Sequence, residues 1–313
     1  LILSASLPKY TGSAKLPGLS EMVRVDRDAL GIVTIRASNR PDLTQALGYA
    51  HAQERFFEMD LMRRSAAGEL AELFGKGALA MDRKMRKHRM RARAREMFSK
   101  LPEAQRNIIE AYREGINVGL AALTIRPFPY LLVRERPQPW QNEDTLLVIL
   151  AMYFTLQEPS FSRELQLSTL RAALPASVYQ FLTASGGDWD APLIGIPFKW
   201  PQLPSREEFD FQAYAHLPSI NQNHFDFNDA APGSNSFAVS GKLANGAALV
   251  ANDMHLSLRV PNIWFRARFI YPNPNKTETN VDISGFTLPG VPGIVFGSNR
   301  HIAWSYTNSY IDI

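Results

Sequence analysis

The sequence predicts an α+β fold. Helical periodicity fills the chain up to Pro201, strand-like alternation fills the part after Ser234, and a polar stretch without periodicity lies between them. The plainest helix signal begins at Asp42, after which Leu43, Leu47, Ala50, Phe57 and Leu61 recur on one face. The plainest strand signal is Ile263-Trp264-Phe265-Arg266-Ala267-Arg268-Phe269-Ile270, which alternates between two faces.

The elements follow in order. Val23 and Val25, then Ile32, Val33 and Ile35, flank Leu30-Gly31 and predict a hairpin within 22–36. The helix from Asp42, with Asp42 as its cap, has possible stops at Gly68 and Gly75. Two further helices are predicted over 102–123, where Ile108, Ile109, Tyr112 and Ile116 form a stripe, and over 142–157. Pro127, Pro129, Pro137 and Pro139 mark the loop between them. The 201–233 stretch reads as a linker. After it come strands at 237–239 and 247–251 around the turn signal Asn245-Gly246, then 263–270, 281–288, 294–297 and 301–306.

Composition narrows the chemistry. With 313 residues, 45% of them hydrophobic, the chain can bury a sizeable core. It has no cysteine, which removes disulfides, thiol nucleophiles and thiolate metal sites and leaves an oxygen nucleophile or carboxylate chemistry. The net charge of +4 is small, but eight Lys/Arg fall between Arg83 and Arg95. That run reads first as a solvated helix face, with a nucleic-acid surface as the rival. No apolar run approaches the roughly 18 residues that a membrane-spanning helix needs. The apolar ending at Ile313 suggests that more chain follows.

Gly233-Ser234-Asn235-Ser236 is by itself a common loop sequence. Placed between a polar segment and a run of strands, it also reads as a self-cleavage site that would leave Ser234 at a chain terminus. The freed α-amine, with an ordinary pKa of about 7.7–8.0, could then serve as the serine's own base. His51, on the apolar side of the first long helix, reads as structural because no second ligand stands at metal spacing.

The surrounding segments sharpen this. Ser234-Asn235-Ser236-Phe237-Ala238-Val239-Ser240-Gly241-Lys242, Ala251-Asn252-Asp253-Met254-His255-Leu256, and Leu288-Pro289-Gly290-Val291-Pro292-Gly293 through Trp304-Ser305-Tyr306-Thr307-Asn308 occur in that order. Upstream stand Leu16-Pro17-Gly18-Leu19, Arg27-Asp28-Ala29-Leu30-Gly31-Ile32 and Gly48-Tyr49-Ala50-His51-Ala52-Gln53-Glu54-Arg55. Together they closely resemble the penicillin acylase family of N-terminal-nucleophile hydrolases, over nearly the whole chain.

The resemblance implies a four-layer αββα sandwich with a mainly helical α-subunit over 1–204, a spacer over 205–233 and the start of a β-subunit over 234–313. It implies self-cleavage between Gly233 and Ser234 to give a heterodimer, and hydrolysis of a linear amide between an apolar acyl group and an amine, without a catalytic cofactor. Penicillin or cephalosporin side chains and N-acyl-homoserine lactones are the substrate classes it suggests. Ser234 would be the nucleophile and the Asn308 N–H one oxyanion donor, with a second donor, an Asn side chain, beyond Ile313. His255 would orient the amine or assist processing; a satisfied structural histidine reads equally well. Asn252 and Asp253 are expected to hold a turn. Tyr153, Phe154 and Phe237 are the first choices for the acyl-binding wall. A structural Ca2+ would take Glu164 and Asp312, with the pairing of Glu164 to an Arg as the rival. Export to the periplasm or beyond is implied, with no nucleic-acid partner. Phe237 stands where many relatives have Trp, Met254 where many have Pro, and Asn308 where a small apolar residue is frequent. A non-catalytic binding protein on the same fold is the alternative function.

Overall fold

The computed structural model describes residues 5–184, 186–189, 192, 194–210, 212, 233–256, 258–276 and 279–309. They fall into two compact units: Leu1–Phe154 with Gly233–Asn308, and Thr155–Pro232 with Ser309–Ile313. Helix and sheet are both extensive, so the chain is α+β as predicted.

The first unit is built on a sheet of order β1-β2-β5-β6-β7-β8. The hairpin is β1 (Arg24–Arg27) and β2 (Val33–Arg36), antiparallel as expected. Its turn is held by Asp28, whose Oδ1 accepts from the backbone of Leu30 and Ile32 at 2.9 Å each, while Gly31 takes φ +76, which favours glycine. The downstream strands are β5 (Phe265–Pro272), β6 (Asn280–Thr287), β7 (Ile294–Ser298) and the two-residue β8 (Ala303–Trp304). They pair antiparallel in sequence order, but β2 pairs with β5 in parallel, joining the hairpin to the downstream strands. A separate two-stranded ribbon contains β3 (Gly233–Val239) and β4 (Leu249–His255).

Period-two alternation in β5 buries Phe265, Ala267 and Phe269, and with Val33 and Ile35 they meet the long helix α1 (Arg40–Ala67) through Leu43, Leu47, Ala50 and Phe56. Asp42 is not the cap of α1. Asn39 is: its side chain accepts from the Asp42 backbone N–H at 2.8 Å. Asp42 is instead buried, receiving hydrogen bonds from Ser20, Glu21 and Asn39. Burial opposes its charge, but these bonds, those of Ser20 foremost, hold its carboxyl below the ordinary range. Gly68, at φ +70, ends the helix.

Between α1 and the next long helix come α2 (Ala71–Phe74), a 3₁₀ turn (Gly75–Ala78), α3 (Leu79–Arg86) and α4 (Met90–Lys100). The basic run is therefore not one helix face: it breaks at Lys87–Arg89, where Arg89 adopts φ +54. Several of its cations are tied down. Arg86 donates to the Gly68 carbonyl, Arg91 pairs with Glu69 and Asp144, and Arg95 pairs with Glu143.

Helix α5 (Glu103–Ala121) packs against α1 with Gly48, Gly115 and Gly119 at the crossing. A Cβ on Gly115 would run into the Gln45 carbonyl of α1, and one on Gly119 would lie 2.6 Å from the Tyr49 carbonyl, so these glycines set the close approach of the backbones. Two short or half-shared helices complete the set: α6 (Phe128–Leu132) and α7 (Asn142–Ala173), the latter leaving the first unit after Phe154. Helix α7 runs well past its expected end at Gln157. It passes through Pro159 at the cost of one backbone hydrogen bond, and the Leu-, Gln- and Ala-rich sequence that follows favours helix again. The second unit also contains α8 (Ala176–Leu182).

A buried hydrogen-bond chain ties α1 and α5 to the sheet. The Tyr112 hydroxyl accepts from the Gly290 N–H (2.9 Å) and faces His51 Nδ1 (2.6 Å); His51 Nε2 faces Thr287 Oγ1 (2.9 Å), which donates to the Phe265 carbonyl (3.0 Å). Only one proton order satisfies every member: Tyr112 donates to Nδ1, and neutral His51 donates from Nε2. His51 is thus structural. Burial, with Arg55 adding to it, pushes its pKa down to about 3.

Below the unfolded-state value of 6.5 the unfolded chain takes up this proton while the folded chain refuses it. Stability should therefore fall with pH from about 6.5 toward 3, by up to ~1.4 kcal/mol per unit from this residue alone, with no contribution above that range. Urea denaturation of the protein and its His51→Gln variant at pH 7 and 4.5 checks this. The variant should lose ~2.7 kcal/mol less than the parent on acidification, and equal losses would refute it.

Candidate active site

The nucleophile candidate sits at the head of the ribbon. Gly241 to Ala247 form the turn, with Asn245 (φ +56) and Gly246 (φ +96) both left-handed, as the Asn-Gly signal predicts. The resulting register sets Gly233 opposite His255, Ser234 opposite Met254, Asn235 opposite Asp253 and Ser236 opposite Asn252. Alternation then puts Ser234, Ser236 and Asn252 on one face, and Asn235, Asp253 and His255 on the other.

The segment carrying Ser305 to Asn308 runs over the first face. The Asn308 N–H donates to Ser234 Oγ at 2.6 Å, so the two residues singled out as nucleophile and oxyanion donor are brought together. Ser236 Oγ lies 2.5 Å from Ser305 Oγ, and Asn252 Nδ2 donates to the carbonyls of Asn235 (2.8 Å) and Tyr306 (3.0 Å). An open cleft of about 790 Å³ lies here, lined by Ser234, Phe237, Asn252, Thr307 and Asn308 among others. Phe237 borders the cleft and is 61% exposed, though strand alternation sets its side chain on the Asn235 face.

His255 belongs to the opposite face. Its Nε2 is 3.1 Å from Asn235 Nδ2 and 3.2 Å from Asp253 Oδ2, so the tautomer decides whether it accepts from the amide or donates to the carboxylate. The bond from His255, helped by the Asn235 N–H, holds the Asp253 carboxyl below its ordinary range. The His255 ring does not meet Ser234 Oγ. It meets Gly233 instead: a Cβ there would lie 3.2 Å from His255 Nδ1. Gly233 itself is ordinary extended strand, so it is the histidine and not the backbone conformation that leaves little room for a side chain.

Asn252 and Asp253 hold no turn. Both lie within β4, where Asp253 accepts from the Asn235 N–H at 3.0 Å and Asn252 reaches across to two carbonyls. Counting outward from a two-residue Asn245-Gly246 turn would set them opposite Val239 and Ala238, but the longer turn shifts the register and places them opposite Ser236 and Asn235.

The remaining candidates are elsewhere. Tyr153 and Phe154, on α7, make an edge contact with each other, and Phe154 packs against His88; neither lines the Ser234 cleft. Glu164 is exposed on α7, and Asp312 lies outside the described residues. Among the described residues no group of three His, Asp or Glu side chains comes together to hold a metal ion. Nor, among them, is any helix long and apolar enough to cross a membrane.

A family model described as penicillin amidase matches residues 22–313. The chain belongs to the penicillin amidase family. Within it, the chain is 32% identical to the penicillin acylase 2 proenzyme of Pseudomonas sp. strain SE83, over 99% of this chain and 39% of that protein. It is 28% identical to the acyl-homoserine lactone acylase QuiP of Pseudomonas aeruginosa, over 96% of this chain and 35% of that protein. The thermostable penicillin G acylase from Alcaligenes faecalis is a structural neighbour at 24% identity and a TM-score of 0.47, covering 56% of this chain and 98% of that one. The chain thus spans well under half the length of the two curated penicillin amidase relatives named here.

Proposed function

We propose that the full-length protein is an amidohydrolase that matures by cutting itself before Ser234 and then cleaves linear amides between an apolar acyl group and an amine. The observation that carries this reading is the 2.6 Å hydrogen bond from the Asn308 N–H to Ser234 Oγ at the head of β3. A fixed donor on Oγ favours the alkoxide, and it is also within reach of the oxygen on whatever carbonyl Oγ attacks. The family relationship and the names of both curated relatives support it.

In maturation, Ser234 Oγ attacks the Gly233 carbonyl carbon, the peptide C–N bond breaks, and an ester joins Gly233 to Oγ. Water hydrolyses the ester, leaving a carboxylate on Gly233 and an amine on Ser234. His255, beside Gly233, lies on the acyl side of that bond. The amine then takes the Ser234 hydroxyl proton as Oγ attacks a substrate amide. The leaving amine departs with a proton, and water releases the acid from the acyl-enzyme.

On this reading 1–204 becomes the α-subunit, 205–233 the spacer, and 234 onward the start of the β-subunit of a heterodimer working in the periplasm or outside the cell. β-Lactam side chains and N-acyl-homoserine lactones are the two acyl-amide classes that suit the relatives' names. Intact mass and N-terminal sequencing of the full-length protein test the proposal. Two chains are expected, one beginning Ser-Asn-Ser-Phe; a single chain that never matures and never acylates would overturn it.

A further inference from the structure

We infer that Asn252 is a positioning residue that holds the Asn308 N–H on the nucleophile, an inference that rests on the amidohydrolase reading above. The oxyanion segment has no regular structure at Tyr306 to Asn308, so its own backbone does not fix the place of the Asn308 N–H. Two clips tie it to the ribbon face that carries Ser234. One is the contact between Ser236 and Ser305. The other is Asn252, whose single amide nitrogen spends both of its hydrogens: one on the Asn235 carbonyl, next to the nucleophile in sequence, and one on the Tyr306 carbonyl, two residues before Asn308.

That geometry makes Asn252 a gauge between the strand bearing Ser234 and the loop bearing Asn308. Because both neighbours are carbonyl oxygens, the amide nitrogen must be the atom that faces them. Asn252 Oδ1 is buried with no hydrogen-bond partner among the described residues, so the hold is exerted through Nδ2 alone. A side chain of the same shape without donors would turn two attractions into two repulsions. The loop would move away from the ribbon, and a displacement of about 1 Å at an oxyanion donor costs on the order of 100-fold in rate.

Asn252→Asp in the full-length protein is that isosteric change. A fluorophosphonate probe reports on it without knowledge of the natural acyl group, because its phosphoryl oxygen develops charge as Ser234 Oγ attacks. Labelling is normalised to the matured fraction found by mass. The maximal labelling rate of N252D should fall about 10- to 100-fold, with the half-saturating probe concentration within about twofold of the parent's. The deficit should narrow as pH falls, since a protonated Asp regains one donor; a merely structural defect would not recover with acid. Should N252D not fold, Asn252→Ala removes the donors without adding charge and takes the same test, with the same split between rate and half-saturation. A parent that labels and a variant that labels equally fast, or one weakened only in half-saturation, overturns this inference alone. A parent that neither matures nor labels removes the amidohydrolase reading, and this inference with it.

Discussion

Replacing Ser234 with alanine should leave a single uncut chain and abolish acylation. The deletion removes one oxygen, but that oxygen has two successive tasks. It attacks the Gly233 carbonyl in maturation, and it then carries the acyl group in every turnover. The cleft offers no ready substitute. Ser236 points to the same face but is engaged with Ser305, and His255 lies on the other side of the ribbon beside Gly233. Loss of a serine nucleophile of this kind costs on the order of 10⁶ in kcat, so residual turnover should be beneath detection. Mass spectrometry after prolonged incubation reads the first task and fluorophosphonate labelling the second. Two fragments from the variant, split at Gly233, would remove Ser234 from the mechanism altogether.

The largest stability loss should follow from Asp60→Ala. Asp60 is fully buried near the end of α1 and accepts from Arg63 (2.7 Å), Arg64 (2.9 Å) and the Tyr130 hydroxyl (2.5 Å). Arg63 also reaches Asp144 and the carbonyls of Gln138 and Pro139, and Arg91 closes the network from α4. Removing Asp60 leaves two guanidinium groups and a phenol in the interior without the two carboxylate oxygens that accepted from them. Breaking a buried pair in this way costs about 3–5 kcal/mol, a large part of the roughly 5–15 kcal/mol that holds a typical domain together. A urea midpoint lowered in proportion, with an unchanged slope, is the expected result. A loss below ~1 kcal/mol would mean that the network is not a stabilising feature of the fold.

The same network shows why part of the fold escaped a reading of periodicity. Asp60, Arg63 and Arg64 look like an exposed polar face of α1, and Arg91 looks like one more charge in a basic run. They are buried because residues far away in sequence, Tyr130 and Asp144, close over them. Long-range pairing misled in the sheet as well. Nothing in Val33 to Arg36 indicates a parallel partner more than two hundred positions downstream, since a strand's alternation records which face is buried and not which neighbour lies beside it. Asp42 has the composition of a cap, and only the Ser20 contacts reveal that it serves as a buried anchor while Asn39 caps.

By itself the sequence determined the hairpin, α1, α5, the Asn-Gly turn of the ribbon and the alternation of β5, because each is written in local spacing, turn chemistry and glycine placement. The resemblance of its motifs to the penicillin acylase family also singled out Ser234 and Asn308. Only the tertiary structure decided that these two meet at hydrogen-bond distance, that His255 faces Gly233 and not the serine hydroxyl, and that Asn252 spans the gap between strand and loop. The physical reason is that a hydrogen bond across 74 residues of chain depends on the register of a ribbon and the path of a loop over it, and both are set by contacts that local sequence does not record.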